Sequence, residues 1–215
     1  MIINILAGGP DDLLPELSSF SNAGDIWVGV DRGVLTLIQN GMQPKMAFGD
    51  FDSVSNEDLL IIEEKVKELN RFKPEKDETD MELALNWALE QNPEKIRMFG
   101  ATGGRLDHLF ANIQLLIKPV LEGNFVPVEI IDKKNKINIK APGEYTIKQN
   151  TNFKYISFVP ITMEIKGLTL RNFKYPLTDR TVPAGSTLCI SNELIDYCGT
   201  FSFTEGILMV VRSKD

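Results

Sequence analysis

Two aspartates, Asp50 and Asp52, follow a short apolar run, in the stretch Gly49-Asp50-Phe51-Asp52-Ser53. Successive side chains of an extended chain point to opposite faces, so these two carboxylates can point to the same side. Converging carboxylates repel each other unless a cation or hydrogen-bond donors compensate. Magnesium would do so, since it usually binds one or two carboxylates together with phosphate oxygens. An acidic turn that caps the next helix explains the stretch equally well.

A second acidic stretch, Lys76-Asp77-Glu78-Thr79-Asp80, precedes a helical pattern. With Thr79 as the N-cap, Asp80 lies in the first helical turn, where the helix dipole favours a negative charge. The residues therefore predict a helix start, and they leave open whether Asp80 also binds a ligand.

The third stretch is a glycine-rich loop, Gly100-Ala101-Thr102-Gly103-Gly104, followed by Arg105-Leu106-Asp107-His108. Such a loop between a strand and a helix brings main-chain N–H groups and a helix N-terminus close to an anion. Arg105 adds a planar guanidinium suited to phosphate oxygens. Asp107 is unusual in a phosphate site and is better explained by a nearby metal. His108 is the only histidine of the chain, and a lone histidine is more often structural than catalytic.

The elements that must position these stretches alternate between strands and helices in the first half of the chain. Apolar runs predict strands at 2–7, 26–30, 46–48 and 96–99, and helical patterns at 33–39, after Ser55 (through Leu69), after Thr79 and at 106–120. This alternation predicts an open, mostly parallel α/β/α sheet, which binds ligands at the carboxyl ends of its strands. Asp31, Asp50, Asp52 and the loop at 100–104 all fall at such ends.

The second half has short β-rich runs separated by turn residues, which predict an all-β sandwich. The predicted strands are 125–131, 136–140, 145–148, 155–159, 163–166, 187–191 and 207–212. We therefore predict two domains, 1–122 and 123–215. The charge supports this division, because residues 1–122 carry 21 acidic and 11 basic side chains (net −10) and residues 123–215 carry 9 acidic and 12 basic (net +3).

Composition excludes several classes of protein. The formal net charge of −7 argues against nucleic-acid binding, which requires a basic surface. No apolar run approaches the ~20 residues of a membrane span, and the N-terminus does not have the pattern of a signal peptide. The two cysteines, Cys189 and Cys198, predict no disulfide framework and suit a reducing cytoplasm.

Together, Asp31-Arg32-Gly33, Gly49–Ser53, Asp77–Asp80 and Gly103-Gly104-Arg105-x-Asp107-His108, in this order and spacing, resemble thiamine pyrophosphokinase. The resemblance extends over a β-rich second half that contains Ser191-Asn192-Glu193. It implies an α/β domain at 1–122 that binds ATP and Mg²⁺, and a β-sandwich domain at 123–215 that helps to bind thiamine. It also implies a cytoplasmic homodimer with active sites between subunits.

The resemblance further implies roles for individual residues. The implied metal ligands are Asp50, Asp52 and Asp80, with Asp31 and Asp107 close to the Mg²⁺–phosphate cluster. Implied nucleotide contacts are Lys76, Asp77, Thr102, Gly103, Gly104, Arg105 and His108. Ser191 and Asn192 are implied to lie near thiamine, and either Asp107 or Asp80 would accept the proton of its hydroxyl group.

Two departures from the family pattern stand out. Some members have a tryptophan after the serine–asparagine pair that stacks on thiamine, whereas this chain continues Glu193-Leu194-Ile195. Some also have glutamine where this chain has Lys76. The missing tryptophan leaves open a pyrophosphokinase for another hydroxymethyl heterocycle such as a pterin. A non-catalytic module that senses Mg²⁺–nucleotide is a second open alternative.

Overall fold

The sheet of the first half is parallel throughout. The computed structural model describes residues 1–51, 54–66, 68–71 and 77–215, and within them this half contains the strands β1 (Ile2–Leu6), β2 (Ile26–Val30), β3 (Met46–Gly49), β4 (Glu68–Arg71), β5 (Lys95–Phe99) and β6 (Val128–Ile131). They lie in the order β4-β3-β2-β1-β5-β6, and every neighbouring pair is parallel. The predicted α/β class is confirmed.

Helices cover both faces of this sheet. They are α1 (Arg32–Gln39), α2 (Asn56–Lys65), α3 (Asp80–Glu90) and α4 (Leu106–Leu121), with short 3₁₀ turns at Asp11–Leu13 and Leu17–Phe20. Two adjacent residues of β3 contact different helices. Ala47 packs with Val34 of α1 and Ile62 of α2, whereas the ring of Phe48 lies 6.2 Å from that of Trp87 in α3. Because neighbouring strand side chains point to opposite faces, α3 lies across the sheet from α1 and α2.

Both predicted helix caps are present. The Ser55 hydroxyl accepts a hydrogen bond from Asp58 N–H at 3.1 Å, and that of Thr79 from Glu82 N–H at 3.2 Å. The helix predicted to run from Ser55 through Leu69 is shorter than predicted. Helix α2 stops at Lys65, and the main chain of β4 instead pairs with β3.

The second half forms two antiparallel sheets. Its strands are β7 (Asn135–Lys140), β8 (Gly143–Lys148), β9 (Tyr155–Pro160), β10 (Glu164–Arg171), β11 (Leu177–Pro183), β12 (Cys198–Phe203) and β13 (Leu208–Ser213). One sheet has the order β7-β13-β9 and the other β11-β10-β12-β8. Phe158 and Val210 of the first sheet share a buried core with Leu170 and Phe201 of the second. The sheets therefore pack face to face, which confirms the predicted sandwich.

One predicted strand of this half was wrong, and two strands were not predicted. Residues 187–191 form turns, and at their end Ser191 has a φ of +56°, which is incompatible with an extended strand. Strand β11 was missed because its stretch Leu-Thr-Asp-Arg-Thr-Val-Pro shows little apolar alternation. Strand β12 was also missed, although Gly199, Phe201 and Phe203 alternate with more exposed residues and gave a detectable signal.

The chain divides into two compact units, Met1–Lys133 and Lys134–Asp215. This division lies later than the predicted one after Glu122. The difference arises from β6, which was expected to open the β-rich domain but pairs in parallel with β5 of the first unit. Among the described helices, none has both the length and the apolar character of a membrane span.

Candidate active site

The acidic residues and the glycine-rich loop lie at one edge of the parallel sheet. Asp31 follows β2, Asp50 follows β3, and residues 100–104 follow β5. Because these strands are parallel, their carboxyl ends share an edge. The C-terminal end of helix α3 leads into the amino end of β5, so α3 runs from the carboxyl edge of the sheet back to the amino edge. Its first residue, Asp80, therefore also lies towards the carboxyl edge.

Asp31 lies directly against the end of β3. Its N–H donates to the Phe48 carbonyl at 2.8 Å, and a Cβ atom placed on Gly49 would come within 2.2 Å of Asp31 Oδ1. Only glycine at position 49 therefore leaves room for this carboxylate. Asp31 and Phe51 both have positive φ angles, +48° and +56°. Non-glycine residues rarely adopt this conformation, and such strain concentrates at functional sites.

The carboxylates that the structure describes here suit a hard cation. Asp31 and Asp50 follow neighbouring strands, and both are half-buried. Two carboxylates are enough for magnesium when phosphate oxygens complete its coordination. No group of three or more His, Cys, Asp or Glu side chains able to hold a metal occurs within the described ranges. The predicted ligand Asp52 and the predicted nucleotide contact Lys76 lie outside the described residues.

Two other residues predicted from the second acidic stretch are described. Asp77 is exposed, and Asp80 is half-buried at the start of α3, directly after the N-cap Thr79. The structure thus places Asp80 where the helix dipole stabilises its charge, as the sequence predicted.

The glycine-rich loop lies at the point where the strand order reverses. From β1 the chain runs outward through β2, β3 and β4, and then returns to place β5 on the other side of β1. Loops at such a reversal form the ligand-binding crevice of open α/β sheets. Here the loop after β1, which contains Gly9, touches the glycine-rich loop after β5. Gly9 N–H donates to the Gly100 carbonyl at 2.9 Å, and a Cβ on Gly9 would lie 2.4 Å from that oxygen. The role of Gly9 was not predicted, although the sequence shows the Gly8-Gly9-Pro10 break after β1.

Thr102 holds the loop from within the protein. Its buried hydroxyl donates to Asp132 Oδ2 at 2.7 Å, and Asn112 Nδ2 donates to the Ala101 carbonyl at 2.9 Å. Asp132 follows β6 at the same sheet edge and was not predicted, although an acidic residue directly after an apolar run is the same signal that Asp31 and Asp50 gave. The bonds of Ala101 and Thr102 therefore fix the buried part of the loop.

The outer part of the loop is exposed. Gly103 and Gly104 have φ angles of +77° and +63°, which glycine adopts without steric cost. They precede helix α4 and leave main-chain N–H groups near its N-terminus. This arrangement suits an anion.

Arg105 and Asp107 form a two-pronged ion pair at the start of α4. The guanidinium donates from Nε to Asp107 Oδ1 at 3.1 Å and from Nη2 to Oδ2 at 2.5 Å. The bond from Arg105 is the main reason that the pKa of Asp107 falls to about 2. Asp107 Oδ1 also accepts from the N–H of His108, whose side chain is exposed. Asp107 therefore stays ionised and orients Arg105.

In the second unit, the adjacent residues Ser191 and Asn192 differ sharply in their exposure to solvent. Asn192 is 2% exposed, and its side-chain amide bonds to both main-chain polar groups of Tyr175, at 3.0 Å to N–H and 2.9 Å to the carbonyl. Ser191 is exposed, and its N–H donates to Ser157 Oγ at 3.0 Å. The amide of Asn192 is thus used within the protein, and the neighbouring exposed side chains are those of Ser191 and Tyr175.

Comparison with known proteins matches both units of the chain. Residues 17–127 match the family model for the thiamin pyrophosphokinase catalytic domain, and residues 144–208 match that for its vitamin B1 binding domain. The chain is 49% identical over 213 residues, 99% of each protein, to the thiamine pyrophosphokinase of Bacillus subtilis. The crystal structure of the Bacillus subtilis enzyme gives a TM-score of 0.95 at 47% identity and full coverage of both chains. That of the Geobacillus thermodenitrificans enzyme gives 0.90 at 49%, covering 100% of this chain and 98% of the other.

Proposed function

Given that the chain belongs to the thiamin pyrophosphokinase family, we propose how its residues carry out pyrophosphate transfer from ATP to the hydroxyl group of thiamine. The products are thiamine pyrophosphate and AMP. The observation that carries the site assignment is the convergence, at one edge of the parallel sheet, of Asp31, Asp50 and the loop at 100–104. Transfer of a phosphoryl-type group needs in-line positioning and compensation of charge, and these groups supply both.

We assign the nucleotide phosphates to the loop and to Arg105. The exposed Gly103 and Gly104 allow main-chain N–H groups to approach phosphate oxygens closely. Arg105 brings a permanent positive charge, and its bonds to Asp107 fix the orientation of the guanidinium before the nucleotide arrives. Preorganised charge of this kind stabilises the transferred group. Thr102 acts indirectly, by holding the loop through Asp132.

We propose that Asp31, Asp50, Asp52 and Asp80 bind Mg²⁺. When bound, Mg²⁺ supplies Lewis-acid polarisation of the phosphate oxygens. Support comes from the space that Gly49 leaves for the carboxylate of Asp31 beside Asp50, and from the acidic character of this edge. Lys76, Asp77 and His108 complete the proposed nucleotide contacts.

The proton of the thiamine hydroxyl has two candidate acceptors. With a pKa of about 2, Asp107 is a weak base at neutral pH. We therefore assign proton acceptance to Asp80, which starts α3 at the carboxyl edge of the sheet, through the carboxylate oxygen that does not bind Mg²⁺.

For the thiamine ring system we propose Ser191 together with Tyr175. Tyr175 is 56% exposed and lies beside Asn192, which fixes its main chain. Thiamine carries a quaternary thiazolium cation, and an exposed tyrosine ring attracts such a cation over its face. Lys174 Nζ lies over one face of this ring, 5.7 Å from its centre, so the thiazolium would use the other face. Tyr175 thereby supplies the aromatic surface that the sequence does not provide after Asn192.

We further propose, from the family resemblance, a homodimer with active sites between subunits and a cytoplasmic location, which suits the free thiols of Cys189 and Cys198.

The test is a mass-spectrometric assay with thiamine, ATP and Mg²⁺. We expect equal amounts of thiamine pyrophosphate and AMP, and no product in EDTA. Asp50→Asn should lose nearly all turnover, whereas Asp179→Asn, an exposed aspartate of the second unit, should keep it. ADP in place of AMP would contradict pyrophosphate transfer, and full turnover by a folded Asp50→Asn variant would remove Asp50 from the site.

A substrate panel separates the remaining alternatives. Turnover of a hydroxymethylpterin with none of thiamine would support the pterin enzyme, and nucleotide binding without AMP release would support a sensor.

A further inference from the structure

A cavity of about 310 Å³ opens in the second unit, and one of its lining residues, Glu193, directly follows Asn192 in the chain. The loop between β8 and β9 forms one side, and Glu193, Leu194 and Arg212 contribute to the rest. This volume is at the lower end of the range of about 300–1,000 Å³ that is typical of small-molecule sites. Nothing in the proposed pyrophosphate transfer uses these residues.

Arg212 brings a positive charge to the cavity without a matching carboxylate. Its guanidinium donates from Nη1 to the Lys148 carbonyl at 2.9 Å and from Nη2 to the Phe153 carbonyl at 3.3 Å. Within the part of the chain that the structure describes, Arg212 has no ion pair, and its buried Nε has no hydrogen-bond partner. Burial lowers the pKa of Arg212, which shows that its charge is poorly compensated.

The charges next to Arg212 leave an excess of positive charge. Lys154 and Lys174 both bond to Glu193, at 3.0 and 3.1 Å, so one carboxylate serves two ammonium groups. Asp215 lies close enough to Lys154 to interact with its charge. Among the residues that line the cavity, Arg212 and Lys154 are cationic and Glu193 is anionic, which gives the lining a net charge of +1.

The remaining wall of the cavity is mixed. Phe153, Ile156 and Leu194 give it an apolar part, and Gln149, Asn150 and Thr151 give it polar groups. An apolar wall beside a poorly compensated guanidinium suits a ligand with an apolar body and one oxyanion group.

We propose that this cavity binds a small organic oxyanion, a carboxylate or a phosphate, with Arg212 and Lys154 on the anionic group and Phe153, Ile156 and Leu194 on the apolar body. The proposed pyrophosphate transfer uses neither Arg212 nor Lys154, so oxyanion binding in this cavity is independent of the proposed function.

The test measures binding of benzoate, phenyl phosphate and uncharged benzamide to the full-length protein by ligand-observed NMR. We expect benzoate or phenyl phosphate to bind at least about tenfold more tightly than benzamide, since a charge-assisted hydrogen bond contributes that much. Tighter benzoate would identify the ligand as a carboxylate, and tighter phenyl phosphate as a phosphate. Arg212→Met should weaken binding about tenfold, and the exposed Lys154→Met about threefold.

Two matched variants control for other sites. Lys166→Met removes an exposed lysine of the same unit that is paired with Glu205 outside the cavity, and it should leave binding unchanged. Arg105→Gln reports on binding of phosphate in the first unit and should also leave benzoate binding unchanged. Equal binding of benzamide and benzoate, absence of binding by both anions, or weakening by Arg105→Gln with none by Lys154→Met would each overturn the proposal. Lys154→Met keeps the test valid if Arg212→Met does not fold.

Discussion

The side-chain amide of Asn192 holds the main chain of Tyr175 in the way that a neighbouring strand would. Oδ1 accepts from Tyr175 N–H at 3.0 Å and Nδ2 donates to its carbonyl at 2.9 Å, while Oδ1 also accepts from Glu193 N–H at 2.9 Å. Asn192 is buried, and Tyr175 is largely exposed. The main chain that carries this exposed ring is thus held rigidly, which would lower the entropy lost on binding at the proposed thiamine site.

Asn192→Ala should destabilise the protein by about 2–3 kcal/mol, because it removes three hydrogen bonds of about 1 kcal/mol each from a buried position. Urea unfolding monitored by circular dichroism would measure the change. Asn150→Ala is the control, since Asn150 is exposed and makes a single side-chain bond, to Asn152 N–H. Equal stability of both variants would show that the amide of Asn192 is not structural.

Tyr175→Ala should raise the KM for thiamine about tenfold with little change in kcat, since a cation over an aromatic face contributes about 1–2 kcal/mol. Steady-state kinetics would measure both constants. Tyr175→Phe keeps the ring and should behave like the wild type, and Tyr197→Ala removes another exposed tyrosine of the same unit as a control. An unchanged KM in Tyr175→Ala would exclude Tyr175 from the thiamine site.

Gly49→Ala should reduce turnover about 100-fold, because the new methyl group would displace the carboxylate of Asp31, and misplacement by about 1 Å has effects of this size. Turnover measured over a series of Mg²⁺ concentrations would show weaker activation. Gly24→Ala also places alanine at a positive φ, +91°, but meets no atom within 4 Å, so it controls for backbone strain alone. Equal losses in the two variants would argue against a specific role for Asp31.

Arg105→Gln should raise the pKa of Asp107 from about 2 towards its ordinary value of 3.8, because the bonds from Arg105 favour the ionised carboxylate. Since the pKa in the folded protein lies below that of the unfolded chain, this ion pair stabilises the protein at neutral pH, and its contribution is lost as the pH falls towards 2. NMR titration of the aspartate carboxyl carbons would follow the change. An unchanged pKa would mean that Arg105 and Asp107 do not pair in solution.

The sequence alone predicted the elements with a strong periodic pattern. Strand β2 and the starts of α3 and α4 are where the apolar runs and the cap at Thr79 predicted them, since burial on one face and capping are local constraints. Strand β4 and the mostly polar β11 were missed because pairing with a neighbouring strand determines them.

The sequence by itself determined the chemistry of this protein: the acidic strand ends, the glycine-rich loop and Arg105, in an order that identified the family. Only the tertiary structure decided how individual side chains are used. It engages the hydroxyl of Thr102 with Asp132 and the amide of Asn192 with Tyr175, and it pairs Asp107 with Arg105. Thr102 with Asp132 and Asn192 with Tyr175 are far apart in the chain, and partners at such separations meet only when the sheets are assembled, so no local pattern encodes those two contacts.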